Sequence, residues 1–187
     1  MIIYTVGHSN LELDEFISKL TAYGIKCVCD IRAFPSSKKF PQFHKAKIQV
    51  ALFLRNINYI WMGRELGGFR NSSEGLGESS PNKGWEKEGF RIYADYMLSQ
   101  AFKKAACRLE KMGKEIKTAI MCAEKIYLKC HRQLISDYLV SKGHTVFHII
   151  ETTEMKQHAL TQFAKFENNR LTYPPDEEKD PEPLLPF

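Results

Sequence analysis

The chain has no apolar run approaching the about eighteen residues that a membrane-crossing helix needs, so no membrane partner is expected. Met1 to Val6 carries neither the basic start nor the long apolar stretch of a signal peptide. It reads as a strand that enters the fold at once. The five cysteines are an odd number without an extracellular pairing framework, which implies reduced thiols and a cytoplasmic setting. Dense Lys/Arg blocks and internal repeats are also lacking, so a charge-driven nucleic-acid tail and a solenoid both lose their main sequence signal.

What is present suits a single domain. The 187 residues are 43% hydrophobic, enough for one substantial core. We expect one α/β domain over residues 1–170 and an acidic, proline-rich tail over 171–187. The net charge of +5 favours an anionic partner in general.

Apolar β-branched runs alternate with amphipathic stretches. Strands are expected at 2–6, 25–31, 59–62, 118–121 and 146–150. Helices are expected after Ser9 or Asn10 as N-cap, from Ile48, from Phe90 to Gly113, from Cys130 to Val140, and over 157–166. The segment 71–89 reads as a long loop, of the kind that serves as a lid or a disordered insert. This order predicts right-handed crossovers and a three-layer α/β sandwich, Rossmann-like or flavodoxin-like, with a mostly parallel sheet of roughly five strands.

In a parallel sheet every strand ends at one rim, where such folds place their ligand. Four strands leave it through polar residues: Gly7-His8-Ser9, Asp30-Ile31-Arg32, Glu65-Leu66-Gly67-Gly68 and Cys122-Ala123-Glu124. The next helix opens with Cys130-His131-Arg132. His8, Asp30, Glu124 and His131 are acid/base candidates, and Cys122 and Cys130 are candidate nucleophiles, since helix N-terminal amides favour thiolates. Ser9, Arg32, Gly67, Gly68, Tyr93 and Arg132 are candidate substrate contacts. Each has a plainer reading. Asp30 and Arg32, two apart on a strand, can form a buried ion pair, and Tyr93 with Tyr96 can be core.

The Cys/His cluster also leaves a metal site or a disulfide open, although no Cys-x2-Cys zinc spacing and no Cys-x5-Arg phosphate loop is present. Lys38, Lys39, Lys45 and Lys47, interleaved with Phe34, Phe40 and Phe43, and the helix start Phe90 to Tyr96 could line a nucleic-acid groove or a nucleotide pocket. Three readings follow. The first is an enzyme, hydrolase or transferase, acting on a phosphate- or nucleotide-like anion. The second is a nucleic-acid-binding module, and the third a metal-binding or redox-sensing protein. The cofactor, the metal and the oligomeric state carry no sequence signal.

The exits above, with Phe34-Pro35, Pro41-Gln42-Phe43, Tyr93-Ala94-Asp95-Tyr96 and Cys130-His131-Arg132, occur in an order that resembles the bacterial and archaeal domain of unknown function 488 family. The resemblance covers about residues 1 to 150 and implies a small cytoplasmic α/β protein. His44, Ile92 and the connector Lys125 to Lys129 depart from the residues common in that family.

Overall fold

The computed structural model describes residues 1–36 and 38–175. It contains β1 (Ile2–Gly7), α1 (Leu13–Ala22), β2 (Cys27–Asp30), α2 (Lys45–Phe53), β3 (Asn58–Trp61) and a short α3 (Gly63–Leu66). Then follow α4 (Glu88–Met97), α5 (Gln100–Glu115), β4 (Thr118–Cys122), α6 (Arg132–Ser141), β5 (Thr145–Ile149) and β6 (Met155–Gln157). A hairpin of β7 (Lys165–Glu167) and β8 (Arg170–Thr172) closes the described chain.

Six strands form the main sheet in the order β3-β2-β4-β1-β5-β6. The first five are parallel, and β6 runs antiparallel to β5. This is a three-layer sandwich, but β4 lies between β2 and β1, unlike the common doubly wound orders. The consequence is functional. The four strands with polar exits are consecutive, and their register levels the exits: Gly7 pairs with Cys122, and Asp30 pairs with both Met121 and Trp61.

Alternation along each strand feeds two cores. Tyr4, Val28 and Ala119 face α1 and α2 together with Phe16, Leu20, Ile48 and Leu52. Ile3, Cys29 and Ile120 face the opposite layer with Tyr93, Phe102, Leu109, Leu134 and Leu139.

Several expectations change. The helix expected over 157–166 does not form. Gln157 ends a strand, and His158 is held by its amide on the Val146 carbonyl and by its ring on His148 and Asp137. Those buried polar bonds outweigh the amphipathic pattern, whose Leu160 and Phe163 pack on the core from a loop. The helix from Phe90 to Gly113 is two helices. Ser99 breaks it, because its Oγ accepts the Phe102 amide as the N-cap of α5.

Neither Ser9 nor Asn10 caps α1, whose N-cap is Glu12. Ser9 turns left-handed at φ 49, drawn by its amide bond to the Ala123 carbonyl. The segment 71–89 is an ordered strap. The Asp95 carboxylate accepts the Leu76 amide, the Ser80 hydroxyl and the Asn82 amide group, which ties the strap to α4. The 170/171 boundary falls inside the β7–β8 hairpin, where Leu171 and Tyr173 are buried. Residues 176–187, most of the expected tail, lie outside the described residues.

Candidate functional site

The exits of β1 and β4 are zipped together. The His8 amide bonds the Cys122 carbonyl at 3.0 Å, and the Ser9 amide bonds Ala123 at 2.8 Å. Gly7 is required at this join, since a Cβ would collide with the Glu124 carbonyl and the Arg132 guanidinium.

One wall of the rim is built from the β2 exit. Arg32 donates to both oxygens of Asp30, at 2.9 and 2.6 Å, and Tyr59 adds its hydroxyl at 2.6 Å. Arg32 Nη1 also donates to the Phe43 carbonyl and to His8 Nε2. Arg32 thus reaches the rim as the edge of a buried ion pair, the plainer of its two sequence readings.

Its bond to His8 settles the imidazole's tautomer. Nε2 must accept, so Nδ1 carries the proton and donates to the Ser9 carbonyl at 2.9 Å. Burial, then the Arg32 charge, push this histidine down to about 4, so the ring is neutral near pH 7. Stacked on Phe43 at 4.1 Å, it is a fixed acceptor. Ser9 faces a small cavity on the other side, with Lys19 and Ile150.

The Cys122-to-Arg132 stretch forms the other wall. Arg132 is 1% exposed and points inward. Its guanidinium donates to the Glu124 carbonyl, to Lys125 O at 3.1 Å and to Thr5 Oγ1 at 3.4 Å. It clamps the connector and presents no free fork to a ligand. Tyr127 anchors the same connector by stacking on His148, ring centroids 3.5 Å apart. Glu124 is exposed, and its carboxylate accepts the Ile126 amide.

Cys130 lies between the connector and α6. Its Sγ accepts the Arg132 amide at 3.5 Å and lies 3.6 Å from His131 Nδ1. The S–H of Cys122 lowers the Cys130 thiol well below its ordinary range, against burial, with help from His131 and Arg132. The same bond and burial raise Cys122. Cys130 is thus the more acidic thiol of the pair and Cys122 the less acidic.

His131 is packed in place. Gly68 lies against its ring so closely that a Cβ there would overlap the imidazole. Gly68 therefore permits close approach to His131, and Gly67 close approach to the Gly63 carbonyl and Ala33. Tyr93 and Tyr96 hold this segment through their hydroxyls on the Leu66 and Glu65 carbonyls, so Tyr93 is a core support behind His131. His131 Nε2 is buried and has no hydrogen-bond partner among the described residues.

These residues meet in a cleft of about 600 Å³, within the size of small-molecule sites. Cys122, Glu124, Cys130, His131, Arg32 and Gly68 line it, as do Ala123 and Lys129. His8, Asp30, Gly67, Tyr93 and Arg132 stand behind that surface. The sequence reading singled out neither Phe69, which with Phe34 and Phe90 makes three phenylalanines of the cleft wall, nor Lys129. Phe69 follows Gly68 directly, and that adjacency was the available signal.

Among the described residues, one group is compact enough for a metal ion. The donor atoms of Cys122, Cys130 and His131 lie within 4.8 Å of one another, a donor set that suits a soft cation such as zinc. His8 is not part of it. Of the lysines considered for nucleic acid, Lys39 lies over Phe40 and Lys45 over Trp61. No helix among the described residues is long and apolar enough to cross a membrane.

Residues 12–139 match the family described as Domain of unknown function DUF488. The match covers more than half of the chain, and the protein belongs to that family. It includes Arg32, Gly68, Cys122 and Cys130 to Arg132, with His8 just before its start. No curated protein and no solved structure matches the chain.

Proposed function

We propose that the protein is an enzyme of the thiolate-dependent group-transfer or hydrolytic type, acting at the rim cleft. One observation carries this reading. The Cys130 sulfur sits on the first amide of a ten-residue helix, beside an imidazole and a thiol donor, at the surface of an open cleft. A structural cysteine needs none of those partners.

In the proposed cycle the Cys130 proton resides on His131. The Cys130 sulfur attacks an electrophilic centre of the substrate and forms an S–substrate bond. As the bond to the leaving group breaks, His131 hands its proton to that group. Water or a second acceptor then attacks the S-linked intermediate and gives a proton back to His131, and the Cys130 thiolate is released. Cys122 acts by donating its S–H to Cys130. Lys129, the α6 N-terminus and the net charge of +5 favour a substrate that carries an anionic group. The two arginines contribute by holding the walls.

Alkylation with iodoacetamide between pH 5 and 9, mapped to each cysteine by mass spectrometry, tests the reading. Cys130 reacts fast at pH 6 to 7, and Cys122→Ala moves its profile upward because the largest lowering influence is gone. A Cys130 profile that rises only near the free-thiol value of about 8.5 contradicts the proposal. So does one zinc or iron per chain in protein purified without a metal-affinity tag.

A further inference from the structure

We infer that Phe34 and Phe69 form a stacking platform for a nucleobase, and that the cleft takes a nucleoside phosphate. This deepens the proposed function by naming its substrate class, and it rests on that reading only for the chemistry performed there.

Phe34 is 72% exposed and Phe69 67% exposed, although both belong to short segments leaving the sheet rim. Burial away from water stabilises a phenylalanine, and neither ring collects that gain from the core. They collect it only in part from each other, in an edge-to-face pair with centroids 5.7 Å apart. Each follows a residue fixed in the site: Phe34 comes two after the ion-paired Arg32, and Phe69 comes directly after Gly68, against the His131 ring. Phe34 is thus aimed by the Arg32–Asp30 ion pair, and Phe69 by the packing of Gly68 on His131.

Phe90 is a third ring of the same cleft, fixed edge-to-face on Trp85 at 5.0 Å, with the Lys87 ammonium 5.6 Å from its centroid. Lys129 supplies a cation at the cleft itself.

Flat aromatic faces beside positive charge select a ligand that is itself flat at one end and anionic at the other. A nucleoside phosphate has that shape, and about 600 Å³ suits a molecule of its size. An unsubstituted sugar phosphate satisfies the charge and leaves the rings exposed. Stacking is tolerant of base identity, because every base offers a π-face. Binding is therefore expected to distinguish nucleotide from sugar phosphate more sharply than one base from another.

Isothermal titration calorimetry of the full chain with AMP, GMP, CMP, UMP and ribose 5-phosphate tests the platform. At least one nucleotide binds tenfold or more tighter than ribose 5-phosphate, with purines ahead of pyrimidines. Phe34→Ala and Phe69→Ala each weaken that nucleotide by about tenfold, the scale of one lost base–aromatic stack. Both rings are exposed, and thermal melting by circular dichroism verifies that the variants fold.

Three results overturn the platform: ribose 5-phosphate binding as tightly as the nucleotides, phenylalanine variants that bind like the parent, or no nucleotide heat at millimolar ligand. The pH profile of Cys130 alkylation, measured without nucleotide, decides the thiolate reading separately. Nucleotide binding with an ordinary thiol profile retains the platform and removes the chemistry. A low profile without nucleotide binding does the reverse.

Discussion

Two buried polar assemblies flank Arg132, and they differ in how completely they are satisfied. The first runs from Thr5 through His148 and His158 to Asp137. Arg132 donates to Thr5 Oγ1, and Thr5 to His148 Nδ1 at 2.7 Å. His148 Nε2 then donates to His158 Nδ1 at 2.9 Å, and His158 Nε2 to Asp137 at 2.8 Å. Asp137 also accepts from Thr161 and from Tyr173. All four imidazole nitrogens have a partner, and the donors all point toward the one carboxylate.

The second assembly, Cys122, Cys130 and His131, is held by weak sulfur contacts and leaves His131 Nε2 without a partner among the described residues. The first ties β5, α6 and the C-terminal segment into one body. The second faces a cleft. A fully satisfied network fixes architecture, and a pre-formed but unsatisfied one is where a ligand gains most, because the burial penalty has already been met by the fold.

The two assemblies should therefore fail in different ways. Asp137→Ala breaks the satisfied chain and leaves His158 facing an apolar gap. It is expected to lower stability by about 3–5 kcal/mol in urea unfolding, while the Cys130 alkylation profile stays where it was. A shifted thiol profile in a folded Asp137→Ala protein would merge the two systems into one.

The next largest effect comes from pH. His8 is held down to about 4 and His148 to about 2, each mainly by burial, with the positive charge of Arg32 adding at His8 and that of neighbouring basic groups, Arg132 and Lys156 among them, adding at His148. Both lie below the unfolded value near 6.5, so the unfolded chain binds more protons in between, and stability falls as pH drops below about 6.5. Together the two rings are expected to remove roughly 3–4 kcal/mol between pH 7 and pH 5, which the urea midpoint reports. A midpoint indifferent to that change would mean that one or both imidazoles are not buried and neutral.

Gly68→Ala has the smallest effect on stability, roughly 1–3 kcal/mol from local overpacking. It acts on the unsatisfied system alone. By pushing the His131 ring away it weakens a lowering influence on Cys130, so the alkylation profile moves to higher pH. An unmoved profile would show that His131 does not tune the sulfur.

Much of this was legible in the chain. Apolar, largely β-branched runs marked the five parallel strands, and the polar residues after four of them marked the rim. Their convergence depends on β4 lying between β2 and β1, and strand order has no local signal. Arg132 illustrates the harder problem. Its position next to Cys130-His131 suggests a ligand contact, yet the side chain turns inward, because carbonyls freed by the connector need a donor. The Asp137–His158–His148 chain was missed for a related reason. Periodicity separates apolar from polar residues but does not mark polar ones that pair inside. The same pairing turned 157–166 from the expected helix into a strand end and a loop.

Competition between two cysteines of the same molecule is the most direct test of the central claim that the Cys122–Cys130–His131 cluster is the working site. Cys107 is exposed on α5, and Cys130 is buried at the cleft. With substoichiometric iodoacetamide at pH 6, followed by peptide mapping, the account predicts label on Cys130 ahead of Cys107, despite the difference in exposure. Label on Cys107 first, with Cys130 untouched until unfolding, would make Cys130 a packing residue and contradict it.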